Sequence, residues 1–137
     1  MSTTTSDAAH LAREFLKRLG DGAEPAEVAA LFGEHLEWEI AGDEGALPWI
    51  GKRFGRHAIA DFLTETRAHI ERLRFDVTDI LTSETRAAIV GSLATKIKRT
   101  GRIVESDFVI VLTVASGEIL RFQMFEDSFA VSRAARG

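Results

Sequence analysis

The 137 residues contain no cysteine, no tyrosine and only two prolines. Without thiols the chain makes no disulfide, ligates no metal through sulfur and has no cysteine nucleophile, and it suits a reducing cytosol. No apolar run approaches 18 residues, and the opening MSTTTSDAAH brings neither an early lysine or arginine nor an apolar segment. We therefore expect neither export nor membrane insertion, and read a soluble cytoplasmic protein. Basic charge is also scarce: 17 Lys and Arg stand against 21 Asp and Glu, for a net charge of -4 spread along the chain. No basic stripe exists to neutralise phosphates, so nucleic acid is not an expected partner. His10, His35, His57 and His69 are not spaced to hold a metal ion, and neither metal nor cofactor is expected.

What is present is a chain of one-domain size, able to bury roughly two thirds of its unfolded surface. We read a single domain over residues 1–137, with an ordered core from about 6 to 130. Ala8, Leu11, Phe15 and Leu19 recur at helical spacing, with Ser6 or Asp7 available as N-cap. Pro25 suits the first turn of a second helix carrying Val28, Leu31 and Phe32, which Gly33 stops. Leu36, Trp38 and Ile40 alternate with Glu37 and Glu39 as a short strand. Residues 42–55 hold four glycines and Pro48 beside Trp49 and Ile50, which suggests a lid or rim loop. Ile59, Phe62, Leu63, Ile70 and Leu73 predict a long helix from about 56 to 72. Four strand-like runs follow, at about 74–82, 86–99, 102–114 and 118–130, as an antiparallel meander.

The run from Phe108 to Val114 is apolar at nearly every position, whereas a sheet with one wet face alternates. Both faces of that strand need cover. Helices and a pocket would cover one, and a second copy of the chain the other, so we expect a homodimer packed through the outer sheet face. The fold class is α+β, three N-terminal helices on the concave face of a strongly curved, mostly antiparallel sheet.

This order of elements resembles the cone-shaped nuclear transport factor 2-like (cystatin-like) fold. Three stretches are similar to its ketosteroid isomerase-related and SnoaL-like polyketide cyclase members. They are Val28–Phe32 with Leu36–Ile40, Leu47–Gly51 with Phe54–Arg56 and Ile59–Leu63, and Ser116–Phe122 closing on Phe125 and Asp127. The resemblance runs from about Leu11 to Asp127. It implies a conical apolar pocket, yet the residues that would carry the relatives' chemistry are missing. The isomerase's general base falls on Ile40, its tyrosine on Phe15 and its protonated aspartate on Ile110. The cyclase's acid falls on Met124 and its histidine again on Ile110. A positioned acid or base is worth on the order of 10²–10⁴ in rate, so neither known mechanism survives these exchanges.

On the family's alternation the pocket wall comprises Phe15, Trp38, Ile40, Phe62, Phe108, Ile110, Leu112, Phe122 and Met124, with Trp49 and Phe54 near the mouth. Such a lining suits a small hydrophobic ligand, unless the same side chains simply fill the core. Glu126 shares the strand face of Met124 and is the leading acid–base candidate; otherwise it is a rim carboxylate. Asp127 has the opposite parity and reads more readily as structural, and His57 could face the acidic loop or water. These are the three catalytic candidates. Three readings stand: an isomerase-, cyclase- or hydrolase-type enzyme, a non-catalytic ligand-binding or accessory protein, and a dimeric scaffold without ligand.

Overall fold

The computed structural model describes residues 3–137. Helix α1 (Thr3–Gly20) buries Ala8, Leu11, Ala12 and Phe15 along one stripe, and Lys17 and Arg18 complement its C-terminal dipole. Ser6 and Asp7, expected as caps, lie inside it. Helix α2 (Pro25–Ala29) is short, with Pro25 in its first turn and a reciprocal capping box between Glu24 and Glu27. The sequence continues this helix to Phe32, but Phe32 instead opens strand β1 (Phe32–Ile40). Its ring is fully buried edge-on to Phe15, with centroids 5.7 Å apart. That tertiary contact outweighs a helical stripe of only three residues.

The glycine-rich stretch is not all loop. Strand β2 (Gly51–Phe54) pairs antiparallel with β1, Trp38 opposite Arg53. Helix α3 (His57–His69) is followed without a connection by strand β3 (Ile70–Thr82). Ile70 and Leu73, read from sequence as helical, therefore belong to a strand, where their three-residue spacing is taken up by a bulge. The meander continues through β4 (Arg86–Ile97), β5 (Ile103–Ala115) and β6 (Glu118–Glu126). β6 stops at Glu126, short of the expected 130, because Asp127 caps a fourth helix, α4 (Ser128–Arg136), with its carboxylate accepting the Ala130 N–H at 3.0 Å.

The six strands form an open sheet in the order β2-β1-β6-β5-β4-β3. Among the described residues only β1 and β6 run parallel. The helices lie on the inner face, three of them N-terminal as expected. Register shifts after Arg72 and after Val77 mark two bulges in β3, which bend the sheet and re-aim its side chains. The inward parity passes from Ile70 and Arg72 to Phe75 and Val77, and then to Ile80. Gly91 on β4 lies under the second bulge, where a Cβ would meet the Asp76 carbonyl oxygen at 2.1 Å and the Phe108 ring at 2.8 Å. Only glycine lets the two backbones approach there.

One end of the inner face is packed solid. Trp38 stacks on Phe122 with centroids 4.2 Å apart and planes 6° from parallel, and Phe15 meets Phe122 edge-on at 6.1 Å. Ile40, Leu112 and Ile119 complete this block and are buried. α4 closes the other end. Asp43 in the loop before β2 accepts from Arg136 Nε at 2.7 Å and Ser132 Oγ at 2.6 Å, and Thr100 Oγ1 donates to the Ala134 carbonyl at 2.8 Å.

Candidate functional site

Where the aromatic block ends, smaller side chains leave a cavity of about 80 Å³. One water needs roughly 10–15 Å³ by the same measure, so several waters or a small ligand fit. Phe15 and Leu19 of α1, Phe62 and Thr66 of α3, and Leu47 and Trp49 of the preceding loop form its helical side. Leu93, Thr95 and Ile97 of β4, Val104 and Ile110 of β5, and Phe122 and Met124 of β6 form its floor. Val131 of α4 closes one wall.

Of the residues placed on the pocket wall from sequence, Phe15, Trp49, Phe62, Ile110, Phe122 and Met124 surround this space. Trp38, Ile40 and Leu112 do not: their side chains are consumed in the aromatic block beside it. Phe108 faces inward but is covered by Phe75, stacked at 4.8 Å. Phe54 is 62% exposed and lies against the His35 ring on the far side of β1, so it is not at the mouth. A four-residue strand flips alternate side chains outward, and Phe54 is one of those. Ile40, Phe15, Ile110 and Met124, which stand where relatives carry catalytic groups, are all buried and offer no proton.

Four lining residues are polar: Thr66, Arg72, Thr95 and Glu126. Glu126 projects from the inner face of β6, paired across from Phe108. Burial pushes its carboxyl up from 4.5 to about 7, and the neighbouring charge of Asp127 adds to the effect. A group with that pKa can both take and give a proton near neutrality. Asp127 is exposed and turned away, its carboxylate occupied in capping α4 while its N–H donates to Ser106 Oγ at 2.9 Å. His57 is exposed at the start of α3 and is not part of the cavity wall. Of the three catalytic candidates, the fold therefore brings Glu126 alone to the cavity.

Arg72, Thr66 and Thr95 were not anticipated as site residues. Arg72 fell at the end of an overextended helix, and only the bulge at Leu73 reveals which face it occupies. Thr66 bonds its own helix, Oγ1 donating to the Leu63 carbonyl at 3.1 Å. Among the described residues no cluster of His, Asp and Glu is arranged for a metal ion, and no helix is long and apolar enough to cross a membrane.

An open, mostly antiparallel sheet curled over helices around an apolar cavity defines the nuclear transport factor 2-like class. Residues 12–122 match the SnoaL-like domain model, and the chain belongs to that family. Comparison with curated proteins gives no match. Among solved structures, a nuclear transport factor 2-like protein of Burkholderia xenovorans LB400 superposes with a TM-score of 0.85 at 24% identity, over 96% of this chain and 97% of that one. TerC, co-crystallized with polyporic acid, reaches 0.81 at 17% identity over 96% and 99%. A protein of Mesorhizobium loti described as a SnoaL-like polyketide cyclase reaches 0.70 at 20% identity over 85% and 96%. At these identities the likeness concerns the fold.

Proposed function

We propose that this chain binds a small hydrophobic molecule in the cavity and moves a proton on it through Glu126, as an isomerase- or cyclase-type enzyme. The observation that carries this reading is the one carboxyl of a mostly apolar cavity, Glu126, which burial pushes up to about 7. In the ionised form Glu126 would take a proton from carbon next to a carbonyl, leaving an enolate, and in the protonated form return it to a different carbon. The exchange is redox-neutral and needs no cofactor. It departs from the ketosteroid isomerase arrangement because the oxyanion donors of that mechanism are replaced by Phe15 and Ile110. Neighbours of the same fold include a described polyketide cyclase and a protein crystallised with an organic acid, in keeping with small-molecule chemistry.

The test is solvent deuterium exchange into an enolisable probe, 2-tetralone, followed by mass spectrometry. We expect exchange above the buffer rate, rising with pH through about 7 as Glu126 ionises, and falling roughly 10²–10⁴-fold in Glu126→Gln. Probe binding without enhanced exchange would reject the catalytic part and leave a binding protein. Exchange undiminished in the variant would remove Glu126 from the chemistry.

We also propose that the molecule works as a homodimer in the cytoplasm, joined through the outer face of the sheet. Val90 of β4 and Val109 and Val111 of β5 lie half-buried there, beside Phe125, which is 43% exposed. No helix of the described chain covers them. The Arg74–Asp76 and Glu37–Arg121 ion pairs stand at the edges of this apolar centre, a distribution that suits an interface core with a polar rim.

A further inference from the structure

Arg72 reaches the cavity from the edge strand β3 and Glu126 from the interior strand β6. Arg72 lies in register with Thr95 and through it Val104, whereas Glu126 lies opposite Phe108. Val104 and Phe108 are four residues apart on β5, roughly 13 Å along the strand, and β3 is three strands from β6, roughly 14 Å across. The two charges therefore form no ion pair. Among the described residues the Arg72 guanidinium has no carboxylate or carbonyl partner at all; it rests 5.0 Å above the Phe75 ring, itself stacked on Phe108.

Arg72 is exposed to solvent on one side and lines the cavity on the other. The neighbouring Arg67 has a partner, donating to the Ala23 carbonyl at 2.8 Å across the gap to α2. Arg72 instead stands where the cavity joins a second cleft of about 190 Å³ between the C-terminal ends of α1 and α3, with Leu19, Thr66 and Ile70 common to both. Desolvation and the positive charge of Arg67 both lower its pKa. The negative charge of an anion at this point would offset both effects. A planar fork of donors with no protein acceptor, fixed over an aromatic ring, matches a carboxylate or an enolate-type oxyanion better than a neutral group.

We propose that the cavity and the adjoining cleft together take an aromatic weak acid, whose anionic oxygen is bound by Arg72, assisted by the Thr95 hydroxyl, while its apolar body reaches toward Glu126. This rests on the cavity being a ligand site, and adds the ligand's charge and direction. Glu126 would meet the reacting carbon at the far end from the anchored anion, so recognition and proton transfer are separated. The second cleft is the route by which the ligand enters, since Arg72 stands at its junction with the chamber.

The test compares a matched pair of probes, 2-naphthoate and 2-naphthamide, by titration calorimetry and by the indole N–H resonances of Trp49, which lines the cavity, and Trp38, which does not. With the whole chain we expect the carboxylate to bind roughly tenfold more tightly than the amide and to shift the Trp49 resonance. Arg72→Met keeps the stem over Phe75 but removes the charge, and should abolish that preference, bringing carboxylate affinity down to that of the amide. Arg72→Lys, with a charge but no fork, should fall between them. Equal binding of the two probes by the unmodified chain overturns the anion site and leaves the cavity reading intact. Failure of both probes to bind overturns both.

Discussion

Glu126 couples the cavity to stability. Its carboxyl titrates at about 7 in the folded chain against 4.5 ordinarily. The folded state therefore holds a proton that the unfolded chain has already lost between those values, and stability falls as pH rises across that window. The fall is complete above about 7 and amounts to on the order of 3 kcal/mol. Glu126→Gln removes the ionisation, so its urea midpoint should match the parent near pH 4.5 and exceed it at pH 8. Equal midpoints at pH 8 would place the carboxylate in water. Glu126 was legible because strand parity carries inward positions forward from Phe122 through Met124. Arg72 was not, because a bulge resets parity at Leu73 and leaves no compositional mark. Trp38 and Leu112 were read on the correct face but as wall rather than filling, since alternation gives direction and not depth.

At the scale of elements, α4 was the least visible part of the fold, although its signal is present. Asp127 precedes Val131, Ala134 and Ala135, which are spaced three and four apart and are all buried. The strand-like run through Phe125 hid that start, although the apolar residues of the helix are well segregated on one side. The long helix was misjudged in the opposite sense, its stripe continued through Ile70 and Leu73 by coincidence of spacing. Capping makes Asp127 a structural residue, and Asp127→Ala should cost about 1 kcal/mol, a fall of about 4 °C in Tm for a chain of this length. The same change removes a negative neighbour, so the midpoint of Glu126 titration, followed by carboxyl 13C NMR, should move down. A catalytic Asp127 would instead lose exchange activity without loss of Tm. α4 is further held by Asp43, whose carboxylate Arg136 and Ser132 keep at about 2, below its ordinary 3.8.

On the scale of the whole molecule, the fold class was readable because element order is set by periodicity over many residues, and errors of a few residues at each end do not alter it. Oligomeric state is a different kind of inference, resting on an uncompensated surface. The β5 core from Phe108 to Val114 alternates fully buried with half-buried side chains, so the inner row is packed against α1, α4 and the cavity while Val109 and Val111 lie half-buried on the outer face. A stable interface removes about 800 Å² per subunit. Sedimentation at micromolar concentration should give twice the 15.1 kDa of one chain. Val111→Glu puts a carboxylate at the centre of the proposed contact, where pairing would bury it against its own copy. The variant should sediment as a folded monomer with an unchanged helical circular dichroism signal, because the position is half-exposed in the lone chain. A parent chain that sediments at 15.1 kDa would refute the dimer, and would leave Val109, Val111 and Phe125 as an apolar surface with no counterpart.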